Sequence, residues 1–562
     1  MMEFEQIGSE KIPTITKDEV VNLTLATLSQ NKQVLIFNNS KRSSEATAQK
    51  VADALDKAIL SHLTELAALA KDIRTALSVP TKQCLKLCTL VEKGVAFHHS
   101  GLTAKQRMLV ERGFREGYIK VISSTPTLAA GLNLPAYKVI IKDYKRYSQR
   151  GFTDIPVLEY HQMSGRAGRP GKEDSGRAVV LAKSESEIEK LVTKYIHGKP
   201  EEILSKLAVE PTLKMYMLSL LAMDFINTEE EIKYFFSKTL YAHQYKDLQG
   251  LHRQLKKILD ILKHYDFVEQ EDHYFVATPL GKKVSELYLN PDTAHYFLDH
   301  LESFFKLNDQ TLSRITLYSL VYLMSSSLEM RPLFSLSKLE EETYVGRAEE
   351  LGGKLLVPYD PFEMDYGTFL QILKISDILV DWISEAHEDY LCEKYKLTPG
   401  ELHYKIEIVD WLLFCLEELC TLRKQFFFKT VINKLRVRFK HGIREDLLPL
   451  IALKGVGRVR ARQLHRAGFQ SVNDLRLASF ESISRVVGDS LSIKIKEQVK
   501  EHSSIAHQGL EIVEKPQSLV KRTLSGGQSV EASDDEIRMV LDADLEFERE
   551  KEERNRSLSE FF

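Results

Sequence analysis

The chain has 562 residues, too many for a single core, and its length predicts three or four domains. Hydrophobic (43%) and charged (28%) fractions are ordinary for a soluble protein. A net charge of −3 does not announce a nucleic-acid binder, so any such surface must be a local patch that the total conceals.

Five cysteines, Cys84, Cys88, Cys392, Cys415 and Cys420, are few for this length and have no histidines at zinc spacing. Neither a disulfide framework nor a metal site is expected. No apolar run approaches the roughly twenty residues of a membrane span, and the N-terminus lacks a signal-peptide layout. The expectation is a cytoplasmic protein without membrane contact.

In chain order, Gln33-Val34-Leu35-Ile36-Phe37 is a continuous apolar strand of the kind buried in a parallel sheet, followed by Asn38-Asn39-Ser40-Lys41-Arg42 and a helical run. Strand, polar loop and helix form the unit of an α/β fold. Gly94-Val95-Ala96-Phe97 is a second strand, running into His98-His99-Ser100-Gly101-Leu102. Adjacent histidines lack metal geometry, so capping and phosphate contact are their expected roles. Residues 120–135 read as a short apolar strand, a hydroxyl-rich turn containing Thr125, and a brief helix ending at Gly131; the hydroxyls and Asn133 can bond phosphates.

Residues 142–156 exceed what a strand-to-helix connection needs, and their aromatic and basic side chains around Gly151 predict a β-hairpin. Next comes Gln162-Met163-Ser164-Gly165-Arg166-Ala167-Gly168-Arg169-Pro170-Gly171. Arg166 and Arg169 are expected on adjacent turns of a helix start, with glycines that let backbone and phosphate approach closely. A planar, always-charged guanidinium that forks onto phosphate oxygens suits a nucleotide hydrolase where charge builds on a γ-phosphoryl group.

These stretches resemble motifs IV, V and VI of superfamily 2 helicases. The wording S-T-P-T-L-A-A-G-L-N-L-P-A followed by Q-M-S-G-R-A-G-R-P-G is similar to that of the Ski2-like branch. The resemblance implies a second RecA-like motor domain over residues 1–197. Arg166, Arg169 and Gln162 would act at the reacting phosphate; Gly131, Asn133 and Gly165 would serve ATP binding and coupling; Ser40, Lys41, His99 and Thr125 would grip the strand. The first motor domain is not recognisable: no G-x-x-x-x-G-K-[ST] and no D-E-x-H occurs. ATP and Mg²⁺ are the implied cofactors, with the Mg²⁺ ligands on that missing domain. The chain is therefore expected to be inactive alone, either truncated or the product of a split gene whose other polypeptide carries the first domain.

Residues 198–290 read as helices, then a helix, turn and two-stranded wing, with a Thr278-x-x-Gly281 turn; this resembles the winged helix that serves Ski2-like enzymes as a joint. Residues 291–445 read as almost wholly helical, with Pro358 and Pro361 in one long loop. Thr398-Pro399-Gly400-Glu401 carries an N-cap threonine, a proline at N1 and a glutamate at N3, a capping box. The helix it opens resembles the ratchet helix of archaeal fork-repair (Holliday junction migration) helicases. Trp411 would stack a base, and Tyr404, with Lys405 beside it, stands where the family offers an arginine. In the same family a hairpin pries the duplex open, a role that falls to Tyr147 and Phe152.

The hidden basic patch is Arg436, Arg438, Lys440 and Arg444, then Lys454-Gly455-Val456-Gly457-Arg458-Val459-Arg460-Ala461-Arg462, with no acid among them. Gly455-x-Gly457 opening a helix is the helix-hairpin-helix signature over residues 446–502, offering backbone N–H groups to a phosphate, with Arg458, Arg460 and Arg462 directed at the DNA backbone. Residues 503–562 form a polar tail. Its L-S-G-G-Q run is a coincidence in a linker. Its end, with Leu558, Phe561 and Phe562 on one face of a single turn, resembles the sliding-clamp (PCNA) interaction box.

The sequence thus predicts a multidomain protein: an α/β RecA-like domain, winged helix, all-α ratchet bundle and helix-hairpin-helix domain. The expected function is the C-terminal part of an ATP-driven 3′–5′ DNA helicase acting on single-stranded and forked DNA in repair. The alternatives are a non-catalytic DNA-binding, clamp-recruiting subunit, and an RNA helicase of the Ski2-like branch.

Overall fold

The computed structural model describes residues 8–501 apart from 56–61, 78, 130–132, 149–150, 170, 172–174, 208, 306–316, 352–354, 356 and 363. Gly131, Leu558, Phe561, Phe562 and the side chain of Tyr147 lie outside the described residues.

The strands of the first domain are β1 (Val34–Phe37), β2 (Val95–His98), β3 (Val121–Ser124), β4 (Lys138–Ile141), β5 (Lys145–Ser148), β6 (Gly151–Asp154) and β7 (Arg177–Val180). Five of them form a parallel sheet in the order β2-β3-β1-β4-β7, while β5 and β6 pair as an antiparallel hairpin. The apolar runs of β1 to β4 are buried at every position, which is what helices on both faces of a parallel sheet require. Helices Glu19–Leu28, Lys41–Ala54, Lys82–Val91 and Ala104–Arg115 start at local caps, where Asp18, Ser40, Thr81 and Thr103 accept hydrogen bonds from first-turn amides.

The helix Val157–Ser164 is different. It starts after Pro156, which has no side-chain acceptor. Its first two amides, of Val157 and Leu158, donate instead to the two carboxylate oxygens of Glu201 at 2.7 and 3.0 Å.

Two local expectations are corrected here. Arg166 and Arg169 do not open a helix; they follow its C-terminal end, where Gly168 at φ +95° turns the chain back against Gly176. That turn needs both glycines, because a Cβ on Gly176 would sit 2.1 Å from the Gly168 nitrogen. The brief helix expected to end at Gly131 is a single 3₁₀ turn, Pro126–Leu128.

Beyond the sheet come helices Glu210–Ala222, Glu229–Ser237 and Leu248–His264, the antiparallel pair β8 (Val268–Glu271) and β9 (Tyr274–Ala277), and the helix Pro279–Glu286, capped by Thr278. The described part of 291–441 contains helices, including Tyr366–Ile383, Pro399–Leu422 and Phe426–His441, and no strand. One continuous apolar core, holding Phe236, Leu262, Phe297, Leu379 and Leu412, runs from Leu213 to Phe439. The boundary expected near residue 290 is therefore not a break in packing. The sheet domain has its own core from Val20 to Tyr195, and a third, small core runs from Ile443 to Val499.

Candidate nucleotide and nucleic-acid site

The candidate residues of the first domain divide between the two ends of the sheet. Arg166 and Gly168 pair through their backbones with Ala136, just before β4, so the arginines lie at the N-terminal end of the strands. Ser40, His99 and Thr125 follow β1, β2 and β3 at the opposite end, about 13 Å away along four-residue strands.

At the N-terminal end, Arg166 Nη2 donates to the Ala129 carbonyl at 2.6 Å, tying the arginine turn to the segment that leads into Gly131. Its Nε is buried without a hydrogen-bond partner among the described residues. Arg169 Nη1 donates to the side-chain oxygen of Gln33. Burial and the charge of Arg169 push the Lys120 amine below the ordinary lysine range. Both arginines are half-buried, and Asn133, Gln162 and Gly165 are exposed. Gln162, farther back on its helix, lines a recess of about 480 Å³ with Pro126, Arg146, Glu159 and Glu201, toward the other end of the sheet. Gln33 and Glu201 had no signal in the sequence, because their partners lie 136 and 44 positions away.

At the C-terminal end, Ser40 is exposed and caps its helix through Ser43 N. Thr125 is nearly buried and shares a hydrogen bond with Thr127. Two expected strand contacts are occupied within the protein. His99 is fully buried: its Nδ1 accepts from Gly101 N at 3.1 Å, its ring stacks on Phe97, and its Nε2 lies 3.4 Å from the Glu45 carboxylate. Burial alone would raise the Glu45 pKa, but the bonds from His99, Lys86 and Gln83 outweigh it and bring it to about 2. Lys41 places its ammonium 2.5 Å from Glu401 of the helical body.

The hairpin forms as expected, with Tyr147 opposite Phe152 and Gly151 at φ +92°. Phe152 is 73% exposed. Arg146, at the hairpin base, bonds Glu159 at 2.8 Å and so ties the hairpin to the helix that carries Gln162.

On the helix Pro399–Leu422, Tyr404 and Trp411 are two turns apart on one face; Tyr404 is 49% exposed, and Trp411 is half-buried against the core. Lys405 points the other way. It is 3% exposed and donates to the Met330 and Pro332 carbonyls, so it cannot meet a strand phosphate, and burial lowers its pKa to about 8.

The turn Gly455–Gly457 precedes the helix Arg458–Arg466, with Gly455 at φ +87° and Ala461 buried. Acids reach these arginines both from elsewhere in the fold and from just beyond Arg444 in the chain. Arg462 is held by Glu385 and Asp446; Arg458 donates to Ala386 O at 2.6 Å and lies over the Trp382 ring. Arg436, counted in the basic patch, is 3% exposed and paired with Asp410 and Glu417. Lys440, Arg444, Lys454, Arg460 and Arg466 are exposed cations of this region.

A parallel sheet with an arginine turn at one end, followed by a large helical body, is the build of a helicase C-terminal region. Residues 57–171 match the model of the helicase conserved C-terminal domain, and residues 318–442 match that of archaeal helicase, domain 4. Within that class the chain belongs to the Hel308 family of archaeal DNA helicases. It is similar to the ATP-dependent DNA helicase Hel308 of Methanococcus vannielii (34% identical over 529 residues, 87% of this chain and 68% of the relative). The Hel308 of Methanocella arvoryzae is 36% identical over 516 residues (90% and 68%), and that of Pyrococcus horikoshii 35% over 502 (87% and 66%).

Proposed function

We propose that this chain is the C-terminal part of an ATP-driven motor that moves 3′ to 5′ on single-stranded DNA and unwinds forked duplexes in repair. The supporting observation is the arginine turn: Arg166 and Arg169 lie half-buried at one end of the parallel sheet, Arg166 held on Ala129 O through Nη2, with the chemistry to face a transferring phosphoryl group. A first RecA-like domain would hold the β/γ-phosphates of ATP and Mg²⁺. Arg166 and Arg169 supply charge from the opposite wall of the cleft, and Gln162, with Gly131, Asn133 and Gly165, links nucleotide state to closure. Ser40 and Thr125 contact the strand, Tyr147 and Phe152 wedge the duplex, and Trp411 stacks a base.

In this reading, residues 198–290 act as a winged-helix joint. The Gly455–Gly457 turn, with Arg460, holds the duplex backbone, and the tail ending in Leu558, Phe561 and Phe562 recruits the sliding clamp.

The test mixes this chain with a separately expressed first motor domain and measures DNA-stimulated ATP hydrolysis. Activity is expected to appear, and to fall by about 10³-fold or more with Arg166→Ala or Arg169→Ala. The second reading, a non-catalytic DNA-binding and clamp-recruiting subunit, rests on the Gly455–Gly457 turn and its exposed cations, which need no nucleotide. It prevails if the two chains associate on DNA and no hydrolysis follows.

A further inference from the structure

The first turn of the helix Pro399–Leu422 is seated on the sheet domain. Gly400 N donates to the Gly101 carbonyl at 2.9 Å. The two glycines meet with no room for a side chain: a Cβ on Gly400 would lie 2.4 Å from Ser100 O and 2.6 Å from Leu102 O. His99, buried beneath, shapes the receiving loop by accepting from Gly101 N. Beside this contact one carboxylate serves both bodies. Glu401 Oε1 takes the Lys41 ammonium, while its Oε2 accepts from Thr398 N at 2.8 Å and Thr398 Oγ1 at 2.6 Å. A second point of attachment lies at Lys82, whose backbone N donates to Asp389 at 3.0 Å and whose ammonium pairs with Glu393.

Backbones in direct contact cannot slide past one another by a residue without carbonyl collisions, and packed interfaces tend to have discrete arrangements. We propose that the helix carrying Tyr404 and Trp411 moves with the parallel sheet as one rigid body, with Gly400 and Glu401 as positioning residues. A displacement of the sheet domain against the ATP-binding domain then reaches the strand on that helix undiminished. This rests on the motor reading above.

The test is a reversible cross-link in the full chain, assayed together with the first motor domain. Lys82 N lies 3.0 Å from Asp389 Oδ1 at the second point of attachment, so oxidation of Lys82→Cys/Asp389→Cys, which leaves the glycine contact intact, should bridge the joint. The oxidised protein is expected to unwind forked DNA within about twofold of its reduced form. Reversible loss of unwinding on oxidation, with ATP hydrolysis retained, overturns the proposal.

Gly400→Ala, which forces the bodies apart, tests it independently: unwinding should drop several-fold while DNA-stimulated hydrolysis persists. Lys41→Met should give a smaller drop that Lys41→Arg restores. Unaltered unwinding by Gly400→Ala overturns the proposal. If even the reduced protein shows no hydrolysis, the motor reading has failed by itself. The joint is then judged on the chain alone, where a cross-link yield that saturating oligo(dT) leaves unchanged supports the rigid body and a fall in yield sinks it.

Discussion

Arg462 and Glu385, 77 residues apart, face each other across the joint between the small C-terminal core and the helical body, with Nη2 2.5 Å from Oε1 and Nε 2.8 Å from Oε2. Asp446 accepts both Nη atoms of the same guanidinium at 2.8 and 2.9 Å. The two carboxylates raise the Arg462 pKa above its ordinary value. Arg458 lies over Trp382 nearby, and Gly442, at φ +61°, leaves that ring its space. The arginine-rich helix thus spends two of its cations on docking and presents the others to solvent.

That division has a measurable consequence. Arg462→Ala leaves Glu385 and Asp446 facing each other uncompensated and should destabilise the protein by about 2 kcal/mol in thermal or denaturant unfolding. Lys454→Ala and Arg466→Ala should each reduce the slope of log affinity against log salt by about 1 with little change in melting temperature. An Arg462→Ala protein with wild-type stability and a shallower salt slope would falsify the assignment.

Lys405 gives a pH signature. Its folded pKa, about 8, lies below the ordinary 10.5, so from about pH 8 to 10.5 the unfolded chain binds more protons than the folded one. Stability from this group therefore rises with pH across that window and is at its minimum below it, a change on the order of 3 kcal/mol at most. Lys405→Met should remove that rise. Because Met330 O and Pro332 O lose their donor, its absolute stability also reflects two unsatisfied carbonyls, and the difference in pH slope is the clean reading. Parallel pH profiles for the two proteins would dismiss the idea.

Much of the fold was legible because its signals are local. The apolar runs of β1 and β2 can only be buried, Gly151 marks a hairpin, and the Thr398-Pro399-Gly400-Glu401 pattern starts a helix in the structure as it does in the sequence. Two helix readings failed, at Arg166 and before Gly131, and the other misreadings concern lysines whose partners are remote. Lys41 looked like a phosphate ligand until Glu401, 360 positions away, came to face it. Lys405 adjoins Tyr404, but on a helix neighbours point to different faces, and its carbonyl partners lie more than 70 residues earlier. His99, expected to cap or to contact phosphate, is buried and takes the first role, accepting from Gly101 N. Hydrophobic pattern and capping chemistry are written within a few residues; a cation's choice between phosphate and carboxylate is decided by folding.

Glu201 is a cap with no local signature. Hydrogen bonds from the Leu158 and Val157 amides hold its carboxyl below the ordinary glutamate range. Its contribution is therefore present above the unfolded pKa and is lost as pH falls through the folded one. Glu201→Ala should cost about 1 kcal/mol, as other cap removals do. It should also loosen the helix carrying Gln162, seen as faster amide exchange in residues 157–164 at neutral pH. Glu201→Gln, which keeps one acceptor oxygen, should fall between. Exchange in that peptide that does not respond to Glu201→Ala would remove the helix from the account.

Phe152 provides the sharpest separation between motor and wedge. Its side chain is 73% exposed on β6 and is not part of the buried core, and Phe152→Ala should change stability by less than about 0.5 kcal/mol. Tyr147 sits opposite it in register, and Arg146 anchors the hairpin base to Glu159. A wedge acts by offering an aromatic face to the last base pair, where stacking is worth about 1–3 kcal/mol. With the first motor domain supplied, Phe152→Ala should therefore keep hydrolysis stimulated by single-stranded DNA and lose forked-duplex unwinding by tenfold or more, taking about 1.4 kcal/mol per decade. Arg146→Ala, which frees the hairpin base, should lie between Phe152→Ala and wild type in unwinding. If Phe152→Ala unwinds forks at the wild-type rate, strand separation does not occur at this hairpin, and the aromatic pair is surface decoration on an otherwise intact motor.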